Sequence, residues 1–246
     1  MPEISHIALT SISVFIGSSI AGAVGFGFAV TAGPLLLLYL DPQTAVVTIN
    51  FCTLIISTMV LIQTRDALPL RQMAPITVAG LPGVPMGVLL LDGVNPGAVR
   101  AAIAFMIIAL GVLRIKNLKI TLLQRRATML PTGTLIGTLI GATGIGGVLL
   151  AVLLLRGDSH RQNLRASISM FSIPTAVVAL SGYSVSGLFS GERIYIALIS
   201  ITPMILGFIA ANLFINRIDD AKFRAGVLIV IFASCLFVLA QEIMTL

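Results

Sequence analysis

The sequence predicts an all-α polytopic membrane protein of two inverted repeats, each a Gly-rich broken-helix hairpin followed by three transmembrane helices, 8–10 hydrophobic segments in all. Three observations carry this. The chain is 57% hydrophobic and 10% charged, with a mean hydropathy of +1.09, whereas a soluble domain carries about 25% charged residues. Its basic residues gather in alternate loops. A glycine cluster, GAVGFGFAV from Gly22, returns as GATGIGGVL from Gly141.

Six apolar segments, near 43–63, 69–91, 96–115, 163–182, 190–215 and 222–243, have the length that a single helix at ~1.5 Å per residue needs to cross a hydrocarbon core of ~30 Å. Residues 4–40 and 127–155 do not fit one crossing, and each contains a glycine cluster. Glycine inside a helix costs about 1 kcal/mol relative to alanine, so such a cluster marks a break, a close approach or a site.

Loop charge threads the two long regions, because Lys and Arg concentrate on the cytoplasmic side. The loop 114–126 carries Arg114, Lys116, Lys119, Arg125 and Arg126 and no acid, which places it inside. If 127–155 crossed once, Arg156, Arg161, Arg165, Arg217, Lys222 and Arg224 would fall outside. A hairpin brings all six inside, and of the 15 basic residues only Arg100 and Arg193 then remain outside. The same threading of 4–40 puts Glu3, Asp41, Asp92, Glu192 and Glu242 outside. A hairpin plus three spans is an odd number of crossings, so the second half enters the bilayer upside down.

The single membrane domain, 1–246, therefore holds repeat 1 near 4–115 and repeat 2 near 127–243. At the Gly22-to-Gly141 offset of 119, Ala23, Gly25 and Gly27 meet Ala142, Gly144 and Gly146. Gln43 meets Gln162, Thr48 meets Ser167, and Asn50 meets Ser169. Inverted repeats with broken helices at mid-membrane are the recurring design of secondary transporters. The first segment lacks a basic n-region and a small-residue cleavage site, so it is expected to belong to the mature fold.

The formal charge of +6 lies in short loops, where topology and anionic headgroups account for it and nucleic acid does not. Cys52 and Cys235 lie in apolar segments without CxxC spacing and read as buried thiols, not redox or metal ligands. His6 and His160 stand at hydrophobic boundaries as interfacial residues. No acid lies deep in a span, so no carboxylate proton relay is visible. There is no Walker-type GxxxxGK[ST], and no intramembrane Ser–His, Ser–Lys, paired-Asp or HExxH set, so neither nucleotide hydrolysis nor an intramembrane enzyme is indicated. The order GxxGxG without a preceding strand excludes a dinucleotide fold. No metal site and no cofactor is expected; the partners are a small anionic substrate and the bilayer, and a homo-oligomer stays open.

The duplicated GAVGFGFAVTAGPLLLLYL plus TAVVTIN, and GATGIGGVLLAVLLL plus LRASIS, resemble the sulfite exporter TauE/SafE family over nearly the whole chain. The first copy departs from that layout, with Phe28 where the second has Gly147 and Asn50 where a serine belongs. The resemblance implies a secondary transporter of small sulfur-containing anions, such as sulfite, sulfoacetate or other organosulfonates. It would sit multi-pass in the bacterial inner membrane and work by alternating access, and the loop-charge threading puts both termini on the periplasmic side. An anion channel, or a carrier of another small organic anion, is the alternative.

Several residues could form the substrate site. Glycine turns at Gly25 and Gly27, and at Gly144, Gly146 and Gly147, would each leave a half-helix with unpaired N–H groups at its positive end, where anions bind. The same glycines could equally serve tight helix packing. After each hairpin come polar residues: Gln43, Thr44, Thr48 and Asn50, then Gln162, Asn163, Arg165, Ser167 and Ser169. Asn50 shares a helical face with Gln43 and is either a helix–helix hydrogen-bond donor or a ligand. Arg165 suits bidentate oxyanion recognition, and also suits a positive-inside anchor. Pro82, Gly83, Pro85, Gly87, Pro203, Gly207 and Asn212 mark kinks or hinges.

Overall fold

The structure, a computed structural model, describes residues 4–67, 70–93, 126–154 and 161–214, with isolated positions between 95 and 105. Most of the expected spans 96–115 and 222–243, and Cys235, lie outside the described residues. What is described is helical, with no strand among those residues.

Helix α1 (Ile4–Val24) stops at the first glycine cluster and α2 (Phe28–Leu37) folds back on it. Asp41 caps α3 (Pro42–Gln63): its carboxylate accepts from Thr44 N at 3.0 Å, and Pro42 supplies the preset φ of a first helical position. A single 3₁₀ turn (Arg65–Ala67) leads to α4 (Leu70–Gly80) and α5 (Gly83–Gly93), which the turn at Leu81 and Pro82 divides. The expected span 69–91 is therefore two helices in line, broken within the GLPGVPMG stretch.

In the second half α6 (Arg126–Thr143) ends at the second glycine cluster, and α7 (Gly146–Leu154) returns against it. Helix α8 (Arg161–Val185) follows. Ser190 caps α9 (Gly191–Ile199) by accepting from Arg193 N at 3.3 Å, and α10 (Ile201–Phe214) continues beyond Ser200. Among the described residues five stretches are long and apolar enough to cross a membrane: His6–Ala23, Pro42–Gln63, Met73–Gly93, Gln162–Val185 and Gly191–Leu213. Their outward faces are apolar, as at Leu89, Ile62 and Leu213, which suits lipid and not water.

Helix α3 is the centre. Every residue from Thr44 to Asn50 is buried, the mark of a helix enclosed on all sides. It packs against α2, α8 and α9. Its direction relative to α8 follows from two hydrogen bonds: Asn50 bonds Tyr183, while Gln63 bonds Arg165. The earlier residue of α3 meets the later residue of α8, so the two helices are antiparallel.

Around this axis the other helices form two groups. Helix α6 meets α4 and α5 backbone to backbone: a Cβ on Gly137 would overlap Gly80 O, and one on Gly133 would come within 2.9 Å of Ile76 O. Gly83 and Gly87 approach Thr134 and Thr138 in the same way, and Gly141 approaches Val84. This is small-residue packing, in which close backbones replace the missing hydrophobic drive in lipid. On the other side α1 packs on α10, with Gly22 against Phe208 O and Gly207 against Phe15 O and Ser18. A separate apolar core of Met73, Ile76, Ile136, Ile140, Leu150 and Phe171 holds α4, α6, α7 and α8 together.

Candidate functional site

The two glycine clusters break their helices alike. Gly25 N donates to Ala21 O at 2.7 Å and Gly144 N to Ile140 O at 2.9 Å, each the last helical bond before a glycine with positive φ, 92° and 74°. That backbone region costs an L-residue roughly 1–2 kcal/mol, and glycine takes it freely. Gly27, at φ 98°, then starts α2 with no side-chain cap. The first bond of α2 runs from Thr31 N to Gly27 O at 3.1 Å, so the amides of Phe28, Ala29 and Val30 have no partner within the helix. At the second break Thr143 Oγ1 accepts from Ile145 N at 3.3 Å.

Between the breaks lies a cavity of about 40 Å³, where one water needs ~10–15 Å³ on that measure. Gly25, Gly27, Phe28 and Ala29 line it from the first break and Gly144, Ile145 and Gly147 from the second. Helix α3 contributes Asn50, Thr53 and Ser57, and α8 contributes Ile168, Ser172 and Ala176. Thr53 Oγ1 is buried without a hydrogen-bond partner. Ser57 and Ser172 are 7% and 5% exposed, and neither hydroxyl is engaged among the described residues. A buried hydroxyl without a partner costs about 1–3 kcal/mol; Thr53 Oγ1 is such a group, and Ser57 and Ser172 add two hydroxyls able to bond a polar guest.

Asn50 sets the level of the second break. Its Nδ2 donates to Tyr183 Oη at 3.0 Å, to Val46 O at 3.1 Å and to Ile140 O at 3.4 Å, and Tyr183 Oη donates to Gly141 O at 2.7 Å. Asn50 is thus a helix–helix donor that also faces the cavity. Arg165 sets the level of the first break. Its Nη2 donates to Gly22 O at 3.2 Å and to Gln63 Oε1 at 3.0 Å, and its stem lies where a side chain on Gly25 would be. The other end of α3 has a counterpart: Arg193 donates to Gln43 Oε1 at 2.6 Å, Thr44 Oγ1 at 3.2 Å and Leu188 O at 3.0 Å, with Asp41 at 3.6 Å. Two glutamines at the two ends of one buried helix are each held by an arginine from the second half of the chain.

Of the residues singled out in the sequence, Gly25, Gly27, Asn50, Gly144 and Gly147 meet at this cavity. Gly146 packs into the crook of its hairpin against Ile136 O. Arg165 stands beyond the cavity, directed at Gly22 and Gln63. Gln43 receives Arg193, and Gln162 is exposed. Ser167 Oγ donates to Asn163 O at 2.7 Å, and Ser169 Oγ is buried without a partner, outside the cavity wall. Thr53, Ser57, Ser172 and Tyr183 are functional candidates that sequence reading passed over. Asn50, Thr53 and Ser57 stand at i, i+3 and i+7, one helical face, and Tyr183 is a hydroxyl inside an apolar span that needs a partner. Both were available as signals.

A family profile described as "Sulfite exporter TauE/SafE" matches residues 9–238. No curated protein and no solved structure matches the chain.

Proposed function

The chain belongs to the sulfite exporter TauE/SafE family, whose members are membrane transporters and not enzymes, and on that premise we propose that it is a secondary carrier holding a small sulfur-containing anion between its two glycine breaks. One observation carries the reading: two helix starts and the hydroxyls of Thr53, Ser57 and Ser172 converge on one partly open cavity. Helix N-termini attract anions through unpaired amides and the macrodipole, and glycine lets the guest approach the backbone. Sulfite fits the space as it stands; sulfoacetate and other organosulfonates need the two breaks to separate.

The carrier works by alternating access in the bacterial inner membrane, its halves forming an inverted repeat with both termini periplasmic. The antiparallel α3 and α8 favour this reading, as do the arginine–glutamine contacts at the two ends of α3, one near each expected mouth. Releasing Arg165 from Gln63 would open the cytoplasmic side, and releasing Arg193 from Gln43 the periplasmic side.

Thermal stabilisation of the purified protein by sulfite, sulfoacetate, taurine, sulfate and chloride tests the substrate. Sulfite is expected to stabilise and chloride not to; equal effects from all five would remove the sulfur-anion reading. Counterflow in proteoliposomes separates a carrier from a channel, since a channel passes current without exchange.

A further inference from the structure

Resting on that reading of the cavity, we propose that the bound species is a singly charged oxyanion, so that hydrogensulfite is carried and the sulfite dianion is not. The elements packed around the cavity are α1, α2, α3, α6, α7 and α8. What they turn toward it are glycine and apolar residues, the Asn50 amide and the hydroxyls of Thr53, Ser57 and Ser172. Among the described residues no charged or titratable side chain is in the wall. The nearest such groups stand directly behind it: Tyr183 on α8 bonds Asn50, and Arg165 lies over Gly25 and donates to Gly22 O and Gln63, while Arg193 holds Gln43 and Thr44 beside Asp41 at the far end of α3.

The positive charge that the wall itself offers a guest is that of two helix starts, the Arg165 guanidinium behind Gly25 being directed at Gly22 O and Gln63. Each macrodipole is equivalent to about +0.5 of an elementary charge at its N-terminus, so two give about +1. One negative charge is balanced. A dianion would keep a charge that the wall does not compensate in a largely apolar site, where desolvation is penalised.

The hydroxyls agree with a protonated guest. Thr53, Ser57 and Ser172 can each donate to an anionic oxygen and accept from an O–H, whereas a lysine or arginine could only donate. The volume of about 40 Å³ suits a compact ion of three or four oxygens; at ~10–15 Å³ per water it equals about three waters.

The test uses the full chain in detergent and in proteoliposomes, with sulfite, methanesulfonate and sulfate as probes. Methanesulfonate stays singly charged throughout, and sulfate stays doubly charged at neutral pH and above. The apparent affinity for total sulfite is expected to fall tenfold for each pH unit above the hydrogensulfite pKa, while inhibition by methanesulfonate stays constant and sulfate competes at least tenfold less well. An affinity that holds or rises as the dianion accumulates, or sulfate competing as well as methanesulfonate, overturns the charge assignment and leaves the carrier reading standing. Failure of every sulfur anion to bind at any pH removes the carrier reading and the charge assignment together.

Discussion

Replacing Arg165 with alanine separates two roles that a membrane arginine can have. Its Nη2 makes one bond to the Gly22 carbonyl at 3.2 Å and one to Gln63 at 3.0 Å. A hydrogen bond from a charged donor contributes roughly 1.5–3 kcal/mol, and the half-buried setting favours the lower part of that range. Loss of both is expected to destabilise the fold by about 3–4 kcal/mol. The stem over Gly25 adds to this through lost packing. Because Arg165 stands outside the cavity wall, the substrate dissociation constant should change less than about twofold, under 0.5 kcal/mol. Thermal unfolding in detergent and substrate titration of the same preparation measure the two quantities. Arg165→Lys keeps the charge but lacks the planar fork, so it should recover only part of the stability. Unchanged unfolding with an affinity loss of about tenfold or more would show that Arg165 grips the substrate and would refute its assignment as the brace of the first break.

Three further outcomes follow from the geometry. Thr53→Val removes a hydroxyl that bonds nothing in the protein, so unfolding should move by less than about 0.5 kcal/mol while substrate affinity falls about tenfold, read by titration. Tyr183→Phe takes away both the acceptor for Asn50 and the donor to Gly141 O, and thermal unfolding should show a loss of about 1–3 kcal/mol. Gly137→Ala sets a methyl group against the Gly80 carbonyl; backbone cannot step aside as a side chain can, and the loss should be about 1–3 kcal/mol or more, seen as reduced yield of folded protein.

The elements that rest on composition and local chemistry were legible before any coordinates. The glycine clusters had to break helices, because three glycines within six residues remove the side chains that favour one φ sign. Their meeting at Asn50 was half legible: the offset pairing of Gly25 with Gly144 made them equivalent, but only packing shows that both face one cavity. Arg165 was not resolved, since a guanidinium near a membrane edge reads the same whether it holds a ligand or a carbonyl. Its true neighbours, Gly22 and Gln63, lie far off in sequence and arrive only through the antiparallel contact of α3 with α8. Of the other glycines, Gly83 and Gly87 read in the sequence as marks of a kink or hinge. The break at Leu81 and Pro82 agrees, yet their main occupation is to admit the backbone of α6.

That backbone contact has a mechanical meaning. Helix α6, and with it the second glycine break, is bolted to α4 and α5, while α1 and the first break are bolted to α10. The two walls of the cavity are thus braced by different neighbours, as the two jaws of a calliper are carried by different arms. A small slide of one brace against the other would change the width of the gap without altering a group on either jaw, so one unchanged set of donors would grip a guest at one setting and release it at another.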